Sequence, residues 1–254
     1  MVASLLDKRT GRELADSTSK YGLGQYLYER FDADDNDAFL KTYCKYIPSW
    51  YGHFARFQMP PAKEVPYKAA SPGDFKLEIR RGPVSQTAVM TAVPGGGVPH
   101  AVHLAVTLCR DRPCVDLEWS IQDKKPDTWP EAGWLCLPLG VGKPAYRLGR
   151  LGAVVDPAAD CTGGANFEVF CLNSGMTVTE PNGLGVGLCP LDSPLVSIGR
   201  PGVYRYTRQW TARDPVVLVN LFNNVWGTNF QQWMGGSWSC RVRLWAVEGK
   251  GGEK

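Results

Sequence analysis

The chain is poor in the groups that most often carry metal, membrane or cofactor chemistry. Only 3 of its 254 residues are histidine, and none of its 8 cysteines forms a C-x-x-C pair. A zinc site needs clustered His and Cys ligands, so no metal is expected. No apolar run approaches the length that spans a bilayer, which excludes a transmembrane helix. Lys and Arg number 28 against 25 Asp and Glu, for a net charge of +3 and no long basic run. A nucleic-acid binder carries a stronger basic footprint. The opening MVASLLDKRTGREL lacks the charged-then-apolar layout of a secretion signal, so a cytoplasmic location is expected. There is no G-x-S-x-G elbow, no P-loop and no G-x-G-x-x-G opening a helix. The Gly183–Gly187 run lies between strand-like segments and reads as a turn, and no cofactor is expected. His100 and His103 lie on one predicted strand at odd spacing and so face opposite ways.

Turn-forming residues, by contrast, are abundant. The 28 glycines and 19 prolines imply many short elements, against a helical bundle. With 44% hydrophobic and 21% charged residues the chain is ordinary globular protein, read as one large domain over 1–254. Period-2 alternation dominates. Val102, Leu104, Val106 and Leu108 share one face, and Val115, Leu117, Trp119 and Ile121 repeat the pattern after a short turn, which predicts a β-hairpin. Cys109 and Cys114 fall at its loop-proximal ends as cross-strand neighbours, reduced in the cytoplasm and able to form a disulfide in an oxidising compartment. The other cysteines read as buried or half-buried thiols. Trp238, Cys240, Val242, Leu244 and Ala246 alternate with Ser239, Arg241, Arg243 and Trp245 along a last half-buried strand. AYRLGRLGAVV and VYRYTRQW also read as strands, and LNSG as a hairpin turn between FEVFC and MTVTE. One helix is predicted over Asp35–Tyr46, with acidic residues at its start and Phe39, Tyr43 and Tyr46 at helical spacing. The prediction is an all-β antiparallel fold with one short helix near the N-terminus.

Three segments hold candidate chemistry. In DTWPEAGWLCLPL, Trp129 and Trp134 flank Glu131. Aromatic faces stack on sugar C–H bonds, and a carboxylate accepts hydroxyl hydrogen bonds or moves a proton. The alternative is core tryptophans at a sheet corner beside a surface Glu. The Asn220–Arg241 segment is rich in amides and indoles, including Asn223, Asn224, Trp226, Asn229, Trp233 and Arg241. Amides match vicinal hydroxyls, or they satisfy loop backbone groups. In Leu148–Phe170, Arg150, Asp156 and Asn166 line a candidate loop site or a salt-bridged loop. Glycosidase chemistry needs a second acid roughly 5–9.5 Å from the first, and Asp123, Asp127, Asp156 and Asp192 are the candidate partners for Glu131.

SLLDKRTGRELADSTSKYGLGQYLYERF, at Ser4–Phe31, resembles a hairpin and the G-Q-Y-L-Y-E run that follows it in the C-terminal β-domain of alpha-mannosidase-like proteins of glycoside hydrolase family 38. NLFNNVWGTNFQQWMGGSWSCRVRLW, at Asn220–Trp245, is similar to another segment of that domain. The likeness runs over most of the chain and is nearest to a less characterised bacterial branch. It implies a galactose-mutarotase-like supersandwich, cut at its N-terminal edge. It also implies that the family's nucleophilic Asp and zinc ligands belong to a separate N-terminal domain. No position here matches them, so no catalytic residue is carried over. A cut sheet would leave an open edge for a catalytic partner domain or for self-association.

Three functions follow as expectations. The first is a non-catalytic carbohydrate-associated β-domain that contacts glycan or a catalytic partner. The second is a self-sufficient carbohydrate-active enzyme, whether glycosidase, lyase or epimerase, with Glu131 as its catalytic acid among the flanking Trp and Asn residues. The third is a structural oligomerisation module.

Overall fold

The computed structural model describes residues 1–44, 68–127, 129–225 and 233–249. In chain order the strands are β1 (Leu6–Asp7), β2 (Arg12–Glu13), β3 (Gln25–Arg30), β4 (Lys68–Ala70), β5 (Lys76–Arg81), β6 (Ser85–Ala92), β7 (Ala101–Cys109), β8 (Cys114–Lys124) and β9 (Glu131–Pro138). They continue with β10 (Ala145–Arg150), β11 (Ala153–Val155), β12 (Phe170–Cys171), β13 (Met176–Thr179), β14 (Gly185–Pro190), β15 (Leu195–Ile198), β16 (Val216–Asn223) and β17 (Gly236–Val247). Helix α1 (Ala33–Tyr43) stands between β3 and β4. None of the described helices is long and apolar enough to cross a membrane.

The strands form two large sheets and a small hairpin, β1-β2. A nine-stranded sheet runs β11-β10-β13-β14-β17-β8-β7-β6-β5, and a six-stranded one runs β12-β15-β16-β9-β3-β4. Every strand pair is antiparallel. The all-β expectation with one early helix therefore holds. The sheets face each other across a continuous apolar layer. Leu117, Trp119, Val242 and Leu244 come from one side, and Tyr26, Leu135, Leu137, Val217 and Val219 from the other. The Tyr26 and Trp119 rings meet across it at 5.1 Å. A second apolar layer covers the other face of the six-stranded sheet, where Leu27, Ala132, Trp134, Cys136 and Leu218 gather. Helix α1 leans on this layer through Phe39, Tyr204 and Phe31, whose rings lie 5.0–5.6 Å apart in sequence.

The predicted hairpin is β7–β8, in register from Ala101 opposite Gln122 to Leu108 opposite Val115. The alternation along β17 also holds, with Cys240, Val242 and Leu244 buried and Ser239 and Arg241 exposed. The helix starts earlier than predicted because Asp32 caps it. Its Oδ1 accepts from the Asp34 and Asp35 amides at 2.9 and 3.0 Å, and Asp35 returns the bond to the Asp32 amide at 3.0 Å. Tyr46 lies outside the described residues.

Three predictions need correction. AYRLGRLGAVV is two strands, β10 and β11, because Leu151 and Gly152 take positive φ and turn the chain. LNSG does not close a hairpin. It carries the chain from β12 in the six-stranded sheet to β13 in the nine-stranded one. VYRYTRQW forms no strand; its Tyr204 turns at φ 55°.

The nine-stranded sheet outreaches the smaller one, so equal residues have unequal worth along it. Leu117 is 1% exposed under the opposite sheet, whereas Leu77 on edge strand β5 is 59% exposed. Leu117→Ala is expected to cost about 2–5 kcal/mol in urea unfolding. Leu77→Ala is expected to stay within about 0.5 kcal/mol of wild type.

Candidate functional site

Glu131 opens β9 at one end of the sandwich. Its backbone is spliced there by Asn224, whose Oδ1 accepts the Glu131 amide at 2.7 Å and whose own amide donates to the Glu131 carbonyl at 3.2 Å. Asn224 Nδ2 also donates to the Trp129 carbonyl at 2.8 Å. The amide thus serves the strand end, as in the backbone-satisfying alternative. Alternation along β9 points Glu131 with Leu135 and Leu137 into the inter-sheet layer. Only 1% of Glu131 is exposed.

The Glu131 carboxylate meets a cation and a phenol. Tyr28 on β3 donates its hydroxyl to Oε2 at 2.6 Å, and Lys124 Nζ pairs with Oε1. Lys124 is brought inward by a β-bulge. Gly236 pairs with Lys124 but Trp238 pairs with Ile121, so β8 has one extra residue there. Asp123 takes φ 46° at the bulge, with its amide bonded to Ser237 Oγ at 2.9 Å. Without that residue the alternation of Leu117, Trp119 and Ile121 would send Lys124 outward. The ammonium spends its three donors on Glu131, the Met234 carbonyl at 2.8 Å and the Lys125 carbonyl at 3.3 Å. Nζ also lies 5.6 Å from the centre of the Phe222 ring. That ring rests on Gly133, where a Cβ would collide with it.

His100 completes the cluster. Its Nε2 shares a 2.8 Å hydrogen bond with the Tyr26 hydroxyl, its ring stands edge-on to Tyr28 at 5.3 Å, and its Nδ1 is buried without a protein partner. Burial, and then the Lys124 charge, lower the His100 pKa to about 4, so the ring is neutral near pH 7. Burial pushes the Glu131 pKa up from its ordinary value, and the hydrogen bonds from Lys124 and Tyr28 oppose it. Burial, and then the neighbouring Glu131, push Tyr28 far above the usual phenol range.

The other predicted site residues scatter. Trp134 points to the opposite face of β9 from Glu131, where its Nε1 donates to Glu29 Oε2 at 2.7 Å inside the outer apolar layer. Trp129 is half-buried, bonded through Nε1 to the Phe31 carbonyl at 2.8 Å, with the Arg30 guanidinium 4.6 Å over its ring. Asn223 donates to Asn220 Oδ1 at 2.7 Å. Arg241 lies on the outer face of the nine-stranded sheet, paired with Asp192 at 2.9 Å. Trp233 is 40% exposed. Trp226 and Asn229 lie outside the described residues. Of the candidate acid partners, Asp156 pairs with Arg147, Asp123 with Ser237 and Asp192 with Arg241. Asp127 alone among these four acts electrostatically on Glu131, and it is paired with Arg30 at 2.8 Å. Arg150 and Asn166 form no common site with Asp156; Asn166 instead caps the Glu168 amide at 2.9 Å.

Two features escaped the sequence reading. Glu168 is fully buried between Arg200 and Arg213, at 2.6 and 2.9 Å. Burial would raise its pKa, but the two guanidinium groups outweigh burial and hold it at about 2. The second is a cleft of about 630 Å³ on the far side of Tyr26, lined by Ser17, Lys20, Tyr21, Gln25, Ser71 and Phe75 among others. Its residues come from the N-terminus, the loop before β3, the start of β3 and the segment after β4, so no local motif announced it.

No family model matches the chain, and no curated protein does. Solved structures share its fold. An alpha-mannosidase from Enterococcus faecalis V583 superposes on 98% of this chain with a TM-score of 0.61 at 13% identity. A protein in glycosyl hydrolase family 38 from Enterococcus faecalis superposes on 98% with a TM-score of 0.58 at 11% identity. The chain spans only 28% of the length of each. A galactose mutarotase-like protein from Lactobacillus casei ATCC 334 aligns over 96% of this chain and 92% of its own, with a TM-score of 0.43 at 13% identity. At these identities the likeness to the two Enterococcus faecalis proteins is one of fold.

Two predictions follow from the buried cluster. Glu131→Gln strands the Lys124 charge and is expected to cost about 3 kcal/mol in urea unfolding, of which Lys124→Met in the same chain recovers a part. His100 gives the second. Its folded pKa of about 4 lies below the ordinary 6.5, so the unfolded chain binds the extra proton. The stability it contributes is complete above pH 6.5 and is lost as pH falls toward 4. The wild-type minus His100→Gln stability difference should be flat above that window and drop by up to about 3 kcal/mol across it.

Proposed function

We propose that the chain is a non-catalytic, carbohydrate-associated β-domain related to the bacterial branch of the family 38 mannosidases, acting as one domain beside a catalytic partner. The observation that carries this reading is the closure of Glu131. Its carboxylate is 1% exposed, with one oxygen held by Lys124 and the other by Tyr28, so a sugar has no path to it. A glycosidase acid must reach the glycosidic oxygen, and this one is committed to holding the end of the sandwich.

Two things support the carbohydrate half of the reading. The structures that share the fold over 98% of this chain are described as an alpha-mannosidase and a family 38 glycosyl hydrolase. The Tyr26 cleft also has the size of a small-ligand site and mixes aromatic rings with hydroxyl and amide groups, a surface suited to a saccharide. On this reading the chain works in the cytoplasm with its cysteines reduced.

The test is a panel of chromogenic glycosides, with and without divalent metal, run beside calorimetric titration with mannose-containing oligosaccharides. The expected outcome is no turnover and measurable binding, weakened about tenfold by Tyr21→Ala through loss of a stacking face worth roughly 1.4 kcal/mol. Turnover abolished by Glu131→Gln in a chain that still folds would overturn the reading.

A further inference from the structure

Cys109 closes β7 and Cys114 opens β8, with Arg110–Pro113 as the turn between them. The register pairs Leu108 with Val115, so the next rung sets Cys109 directly opposite Cys114. Opposed residues of an antiparallel pair have Cα atoms about 4.5–5.5 Å apart and side chains on the same face. That separation falls inside the roughly 4.4–6.8 Å that a disulfide bridges. Both residues are free thiols and partly exposed. The rung continues to Ser85 beyond Cys109 and to Trp245 beyond Cys114, on the outer surface of the nine-stranded sheet.

Three arginines surround the pair, two of them already paired with carboxylates, Arg243 with Asp116 and Arg9 with Glu248 and Asp7. Arg112 Nη2 donates to Cys109 Sγ at 2.9 Å. The Arg243 guanidinium, gripped by Asp116 at 2.6 and 3.0 Å, lies within electrostatic reach of both sulfurs. A cleft of about 400 Å³ reaches Cys114 and is lined by Arg9, Arg243, Trp245 and Glu248 among others. The carboxylates nearby are already engaged, Asp116 by Arg243 and Glu248 by Arg9. The thiolate is the nucleophilic form of cysteine. Among the described residues no three His, Cys, Asp or Glu side chains are grouped to hold a metal ion.

We propose that Cys109 and Cys114 form a redox-active dithiol that a small carboxylate-bearing disulfide of the glutathione class oxidises to an intrachain disulfide. The cleft beside Cys114 receives the reagent's carboxylates on Arg9 and Arg243. The Cys114 thiolate attacks one sulfur of the reagent; the reagent's S–S bond breaks and one thiol leaves with a proton. The Cys109 thiolate then attacks the Cys114 sulfur and expels the second thiol. Two electrons pass from the protein to the reagent, and both protons end on the released thiols. Exposed disulfides of this kind are readily reduced again, so the step is reversible.

The experiment takes the full, reduced chain through a series of reduced and oxidised glutathione mixtures, quenches with acid and an alkylating agent, and maps the peptides. The expected first product is the Cys109–Cys114 link, ahead of any change at the other cysteines. Cys109→Ser should stop the reaction at a stable glutathione adduct on Cys114. Oxidised glutathione should react at least about tenfold faster than the uncharged hydroxyethyl disulfide at low salt, with the difference shrinking as salt is added. Persistent adducts on both cysteines without a link, or oxidation of other cysteines first, would overturn the dithiol. Equal rates for the charged and uncharged reagents would overturn the role of the cleft. The wild-type map decides the first question even where a variant fails to fold.

Discussion

Strand β9 is buried on both faces, and most of the molecule is arranged around that fact. Leu135 and Leu137 fill the layer between the sheets, while Ala132, Trp134 and Cys136 fill the layer on the far side. A strand apolar on both sides must sit inside its sheet, with neighbours on both edges to take its backbone groups. β3 and β16 take those places, in register along almost its whole length. The same constraint explains Glu131. A strand locked this way carries its first residue inward, and a carboxylate there has to be matched by a cation and hydrogen bonds.

The match is supplied from two separate parts of the chain, Tyr28 on the neighbouring strand and Lys124 on the opposite sheet, while Asn224 after β16 bonds the Glu131 backbone. Lys124 reaches inward only because β8 bulges at Asp123. The result is an ionic clasp between the two sheets at one end of the sandwich; Glu168 forms a second buried ion cluster with Arg200 and Arg213, in the segments that flank β12, β15 and β16. In both clusters the carboxylate is buried and held by cations, which suits a structural role better than proton transfer. The open surfaces lie apart from them: the cleft beyond Tyr26, and the cysteine rung at the tip of β7–β8. Function is therefore sought at the surface, on loops and hairpin tips that the clasped scaffold positions.

The sequence was legible where one face of an element meets water. The β7–β8 hairpin and β17 showed clean alternation because their outer faces are polar, and the cross-strand placement of Cys109 and Cys114 followed from the same count. The Asp32–Asp35 capping box was also there to be read, and reading it would have set the helix start. In DTWPEAGWLCLPL a strand covered on both sides loses its alternation, so the sequence left open a sugar site and core tryptophans beside a surface Glu; Trp134 lies in the core and Glu131 is buried rather than on the surface. LNSG misled because a turn signal marks where the chain bends, not which sheet receives it.

Composition, alternation and turn residues by themselves determined the all-β class, the early helix and the solvent-facing side of the regular strands, because those depend on local backbone preference and on one contact with water. The fate of Glu131, Trp134 and Arg241 depended on which faces met across the sandwich. Neighbours in sequence went to opposite sides of one strand, and residues far apart met in one buried cluster. Only the packing of two sheets, with a single-residue bulge shifting the phase of one strand, decided that.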